Sequence, residues 1–154
     1  MPKKGRKSKG AVPPPKCKAI LLCDQTIIEA GTGKISVIGI FEGFAVPQTP
    51  GVIRPFTVYL HLTDGIADHE YEISVELHDL KNDNVIARAT GPKIRWGDRL
   101  SRLNLLIPVP PLKVEHAGVY DLVVLANKQE IDRQQFQVVI PAKPETKEEG
   151  EGND

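Results

Sequence analysis

The stretch HEYEISVELHD, residues 69 to 79, alternates apolar and polar side chains without a slip. Tyr71, Ile73, Val75 and Leu77 fall on one side; Glu70, Glu72, Ser74, Glu76 and His78 fall on the other. A period of two belongs to a β-strand with one face buried and one in water, as in an antiparallel sheet. PFTVYLHLTD repeats the pattern with Phe56, Val58, Leu60 and Leu62, and RLNLLIPV repeats it with Leu103, Leu105, Ile107 and Val109. KAILLCDQTIIEA and KISVIGIFEGFAV are rich in β-formers and are joined by Gly31-Thr32-Gly33, a turn whose positive φ suits glycine. Nowhere does an apolar period of 3.6 persist for three turns. The expected fold is all-β: a single antiparallel β-sandwich of about eight strands, with a closed barrel as the alternative.

The chain has 154 residues, enough for one domain to bury a core without metals or disulfides. Its charge is unevenly spread. Residues 1–16 hold six bases and no acid; residues 142–154 hold two bases and five acids. Both ends are polar and rich in Pro and Gly, so a basic tail (1–16) and an acidic tail (142–154) are expected to be disordered around a β-sandwich domain at 17–141. Residues 17–140 carry 12 bases against 15 acids, so the body is mildly acidic. The basic start is followed by AVPPPKCK rather than an apolar export segment, and no run approaches the roughly 20 apolar residues of a membrane helix. A cytoplasmic location without membrane contact is expected. Cys17 and Cys23 stand six apart in one extended segment, which separates them by about 20 Å. That exceeds the reach of a disulfide, so free thiols are expected.

One hairpin has a readable register. A three-residue loop Asn82-Asp83-Asn84 would set Lys81 opposite Val85, Leu77 opposite Ala89 and His78 opposite Arg88, keeping Val85, Ala87 and Ala89 inward. Pro92 has no N–H for a ladder, which places its strand at an edge. Near the end of the chain, AGVYDL sets Tyr120 two residues after Gly118 and two before an inward Leu122. This spacing resembles the tyrosine corner of immunoglobulin-like sandwiches, in which the phenol hydroxyl ties back to the backbone upstream. The resemblance implies structural roles for Gly118 and Tyr120. Leu122 stands where antibody domains carry their second cysteine, so the likeness is to the architecture only.

A second resemblance covers most of the ordered region. Cys23-Asp24 at the end of one strand segment, Gly33-Lys34 after the turn, then Gly39, Phe41 and the strand bounded by Pro55 resemble an uncharacterised family of small bacterial β-sandwich proteins. The resemblance implies a bacterial, cytoplasmic, single-domain protein. It carries over no activity, ligand or site residue.

The search for chemistry finds little. His61, His69, His78 and His116 form no His-x-His pair, no Cys-x-x-Cys occurs, and no Gly-x-Ser-x-Gly elbow is present. GTGK lacks the ending of a phosphate loop and joins two strands. Asp64, Asp68 and Asp98 belong to one end of an up-and-down sandwich, and Asp79, Asn82 and Asp83 to the other. Each group falls short of the six to eight oxygens that calcium takes, so these residues read as turn formers. No catalytic residue, metal or cofactor is expected. The candidate binding cluster is KIRWGDRLSR: Trp96 among Lys93, Arg95, Arg99 and Arg102. An exposed indole there would stack on a base or anchor a protein interface. Alternatively Trp96 caps the core while the arginines stay solvated and pair with Glu70 and Glu72. The expected function is a non-enzymatic interaction module that binds another protein, or a second copy of itself, through loop ends or a strand edge. The second reading is an accessory nucleic-acid-binding protein that uses the basic tail and the Trp96 cluster. Residues 3–9 would add weak, salt-sensitive, non-specific contact with polyanions.

Overall fold

The computed structural model describes residues 12–142. The stretches 1–11 and 143–154, and with them most of the two expected tails, lie outside the described residues. Every regular element described is a strand: β1 (Lys16–Ile28), β2 (Ile35–Phe41), β3 (Gly43–Ala45), β4 (Gly51–Ile53), β5 (Phe56–Thr63), β6 (Glu70–Asp79), β7 (Asn84–Arg95), β8 (Leu103–Val109), β9 (Leu112–Val114), β10 (Gly118–Ala126) and β11 (Gln129–Val139). They form a four-stranded sheet in the order β2-β1-β5-β8, a five-stranded sheet in the order β3-β11-β10-β6-β7, and the pair β4-β9. Eleven strands in three sheets thus replace the eight expected of a single sandwich. The excess is β3, β4 and β9, three residues each, too short for an alternating pattern to show. No described helix is long and apolar enough to cross a membrane.

The two larger sheets bury one common apolar cluster. Leu22, Val58, Leu60, Leu62, Leu105 and Ile107 enter it from the four-stranded sheet, and Tyr71, Ile73, Val75, Leu77, Leu122, Val124, Phe136 and Val138 from the five-stranded one. Each such side chain contributes roughly 1.5–3 kcal/mol by leaving water, which makes this cluster the main stabilising element. The chain changes sheets at Glu42: β2 pairs with β1, whereas β3 runs parallel to β11. Phe44 on β3 then fills the gap, with Phe41 4.6 Å, Phe56 5.0 Å and Phe136 5.6 Å away between ring centres.

Several local expectations meet the structure directly. Gly31 and Gly33 both take positive φ in the β1–β2 turn. Strand β7, which holds Pro92, is an edge strand. The β6–β7 hairpin, however, takes a different register. Asp79 lies opposite Asn84, His78 opposite Val85 and Leu77 opposite Ala87. The cause is Asp79, whose Oδ1 accepts from the Lys81 and Asn82 N–H groups while its Oδ2 accepts from the Asn82 amide. That side chain starts the turn early and closes it with Asp83 at φ 51°. Ordered contacts also begin before residue 17: β1 starts at Lys16, and the Pro13 carbonyl accepts a hydrogen bond from the Tyr71 hydroxyl at 2.9 Å.

Candidate functional site

Trp96 follows the last residue of β7 and is fully buried. Its N–H donates to the His69 carbonyl and its own carbonyl accepts from the Asp68 N–H, so the backbone is pinned on both sides. The Tyr71 ring meets the indole edge-on at 6.0 Å. Gly65 lies so close above that any Cβ there would fall inside the indole ring, which explains why this position holds glycine. The indole N–H has no acceptor among the described residues. Trp96 therefore caps the core, and the reading in which it is an exposed stacking platform is corrected.

Burial of Trp96 also splits the cluster around it. Lys93 and Arg95 lie across from Glu72 and Glu70 at the edge of the five-stranded sheet, and Arg95 forms its ion pair with Asp68, at 3.9 Å. Arg99 and Arg102 sit beyond the indole on the β7–β8 loop. There they line a cleft of about 370 Å³ with Lys18, His61, Thr63, Asp64, Leu100 and Ser101. Lys18 and His61 had no signal linking them to this loop, because the sheet order that brings β1 and β5 beside it is non-local.

The outer faces of the two sheets differ in kind. On the five-stranded sheet, Glu76 accepts from Arg88 at 2.9 Å and pairs with His78 at 2.8 Å. Arg133 donates to Glu130 and to the buried Asp121, and lies opposite Val123, which is buried on this outer side. On the four-stranded sheet, the register puts Ala19, Leu21, Cys23, Gln25, Ile27, Ser36, Ile38, Ile40, Thr57, Tyr59, His61, Asn104, Leu106 and Pro108 outward. None of these is Asp, Glu, Lys or Arg; the charges of this face, Lys16 opposite Thr63 and Lys18 in the β1 bulge, gather at the Lys16 end of β1. Leu21, Tyr59 and Leu106 form one row across three strands, and Ile40 lies beside Cys23. Ile38 and Ile40 remain 44% and 58% exposed.

This face ends at an open edge. The Glu29 N–H donates to the Lys34 carbonyl at 2.8 Å. By the alternation of an antiparallel ladder, Lys34, Ser36 and Ile38 direct their backbone groups toward β1, leaving the N–H and C=O of Ile35 and Val37 open to solvent. Gly39, at φ 69°, kinks the strand beyond that point. The sequence carried a signal for this surface. ISVIGIF is apolar at consecutive positions, so both of its faces, not one, are hydrophobic.

Polar groups inside the fold are tied up in structure. The Tyr120 hydroxyl donates to the His116 carbonyl at 2.7 Å, the upstream tie expected from the spacing, and Gly118 just before it has φ 144°. The imidazole of His116 stacks on Tyr120 at 5.4 Å and meets the Asp79 carboxylate at 2.7 Å. The Ala117 carbonyl on Nδ1 and Asp79 on Nε2 hold the His116 pKa above its ordinary value. Burial alone would raise the Asp79 pKa, but hydrogen bonds from His116, the Lys81 N–H and Asn82 outweigh it and leave the carboxyl below its usual range. Cys17 and Cys23 are free thiols. Burial, then the charge of Asp132, pushes the Cys17 thiol up to about 11, and burial followed by Asp24 raises Cys23, so neither is poised as a nucleophile. Among the described residues, no three His, Cys, Asp or Glu side chains gather as a metal site.

With this geometry in place, comparison with known proteins adds the family. Residues 18–139 match the model of DUF6941, a family of unknown function, and the chain belongs to that family. No curated protein sequence matches. Among solved structures, the chain is similar to the Pseudomonas fluorescens alkylpurine DNA glycosylase AlkC, bound in that structure to DNA containing an abasic site analog. The TM-score is 0.50 at 8% identity, over 64% of this chain and 27% of that one. The chain thus spans about a quarter of that enzyme's length, and the likeness is one of fold alone.

Proposed function

We propose that this protein is a non-enzymatic, bacterial cytoplasmic interaction module with an immunoglobulin-like sandwich as its scaffold. Its binding surface is the outer face of the four-stranded sheet together with the open edge of β2. The observation that carries this reading is the outer face, uncharged from Ala19 to Ile27 and across the β2, β5 and β8 residues beside them, which ends at a strand whose Ile35 and Val37 backbone groups have no partner among the described residues. Long apolar edges are normally blunted by charge or proline, because they recruit another strand. The other long edges are blunted: β7 holds Arg88, Pro92, Lys93 and Arg95, and β8 holds Pro108. On β2 only the kink at Gly39 interrupts the edge. A protein partner, or a second copy of this chain, adds a strand along Ile35–Ile38 and covers Ile38 and Ile40.

The nucleic-acid reading loses its stacking group with Trp96 inside the core. What supports it is the gathering of Arg99, Arg102 and Lys18 around one cleft; the basic residues 3–9 lie outside the described residues.

The test is a pull-down with the tagged full-length protein beside its Ile38→Lys variant. A partner, or the untagged chain itself, retained by the parent and lost by the variant supports the module. A partner retained equally by both, or turnover of a substrate by the purified protein, contradicts it.

A further inference from the structure

We propose that the cleft between β1, β5 and the β7–β8 loop is a binding site for a phosphate group. Its lining brings together Lys18 from β1, His61 from β5, and Arg99 and Arg102 from the loop. Among the described residues, Lys18, Arg99 and Arg102 have no carboxylate partner, whereas Arg54, Arg88, Arg95 and Arg133 all do. Asp64, the one acid of the lining, is engaged by Lys16 at 3.7 Å and by the Thr63 hydroxyl. The cleft therefore holds three uncompensated cations on a body with more acids than bases.

The loop that presents them is held in shape without spending those cations. Asp98 Oδ1 accepts from the Leu100 N–H at 2.7 Å, Ser101 Oγ accepts from the Asp98 N–H, and the Ser101 N–H returns to the Asp98 carbonyl. Arg99 and Arg102 are thus displayed by a preformed turn. His61 is fixed in a similar way, with Nδ1 against Asn104 Oδ1 at 2.8 Å, where the Tyr59 hydroxyl also donates.

The chemistry selects a phosphate over a carboxylate. Two guanidinium forks and an ammonium offer more donors than the two oxygens of one carboxylate accept, whereas a phosphate presents three or four oxygens and nearly two charges. A cleft of 370 Å³ is of small-ligand size. Leu100, 86% exposed, forms an apolar lip for whatever the phosphate is attached to.

The test is an NMR titration of the full chain with pyrophosphate at physiological salt, repeated with duplex DNA as competitor. Saturable shifts at residues 16–18, 61–64 and 97–102 are expected. Arg99→Gln, Arg102→Gln and Lys18→Gln, on two separate elements, should each weaken binding about tenfold or more, as expected for loss of a charged hydrogen bond. Lys113→Gln should change nothing, and replacing the five bases of residues 3–9 by Gln should leave the cleft's affinity intact. Displacement of pyrophosphate by DNA would assign the phosphate to a nucleic-acid backbone; failure of DNA to displace it would assign a small phosphorylated molecule. Shifts that do not saturate, that centre on residues 1–11, or that ignore the Arg99 and Arg102 variants would overturn the site.

Discussion

The two large sheets share one core but turn opposite surfaces to the outside. The five-stranded sheet covers itself with ion pairs: Glu76 with Arg88 and His78, and Arg133 with Asp121 and Glu130. The four-stranded sheet presents fourteen outward positions without one Asp, Glu, Lys or Arg, and confines its charges, Lys16 and Lys18, to the end where the cleft opens. Desolvating charges is costly, so a surface that must stay in water carries them and a surface that is to be covered does without. On the reading proposed above, the first sheet serves solubility and folding and the second recognition.

The comparison makes unequal predictions for the two sheets. The largest effect belongs to the buried pair within the five-stranded sheet. Asp79→Ala leaves the His116 imidazolium without its carboxylate and should cost about 3 kcal/mol in chemical denaturation, the usual penalty for breaking a buried pair. The same pair sets a pH profile. His116, with its pKa raised in the folded state, stabilises fully below the ordinary imidazole value of about 6.5, and that stability is lost as pH rises through the folded value. Asp79, with its pKa lowered, stabilises above the ordinary carboxyl value of about 3.9 and loses that contribution as pH falls through the folded value. Melting temperature should therefore be highest between these limits, and His116→Gln should remove the decline on the alkaline side.

Smaller effects follow. Tyr120→Phe deletes one buried hydrogen bond and should cost about 0.5–1.5 kcal/mol; an unchanged denaturation midpoint would mean that the tie to His116 contributes nothing. Arg88→Gln breaks an exposed pair on the charged face and should cost less than about 1 kcal/mol. The sharpest contrast is Ile38→Lys, which adds a charge to the charge-free face. It should change stability by no more than about 0.5 kcal/mol, because this outward side chain is 44% exposed and a lysine there can hold its ammonium in water. A large loss of stability there would show that the face serves folding, and the contrast between the sheets would fail.

What the sequence showed and what it hid follow from the range of the interactions involved. Strands such as β5 and β6 were legible because alternation is a local property, and Tyr120 was legible because its partner His116 lies four residues away. Loop length alone points to the wrong hairpin register, because the Asp79 carboxylate redirects the turn. Trp96 was ambiguous because its burial depends on Gly65 and Tyr71, neither of which adjoins it in sequence. The charge-free face was missed for the same reason. Leu21, Tyr59 and Leu106 become a row only once the order β2-β1-β5-β8 is known.

The most direct measurement is amide hydrogen exchange on the full chain, alone and with the protein it captures. In the free protein the Ile35 and Val37 amides should exchange as open edge groups, while those of Ser36 and Ile38 should be protected by β1. Binding should slow Ile35 and Val37 specifically, with added protection confined to the four-stranded sheet. Unchanged exchange at these two amides, with new protection on the charged face of the five-stranded sheet, would contradict the assignment of the charge-free face as the recognition surface.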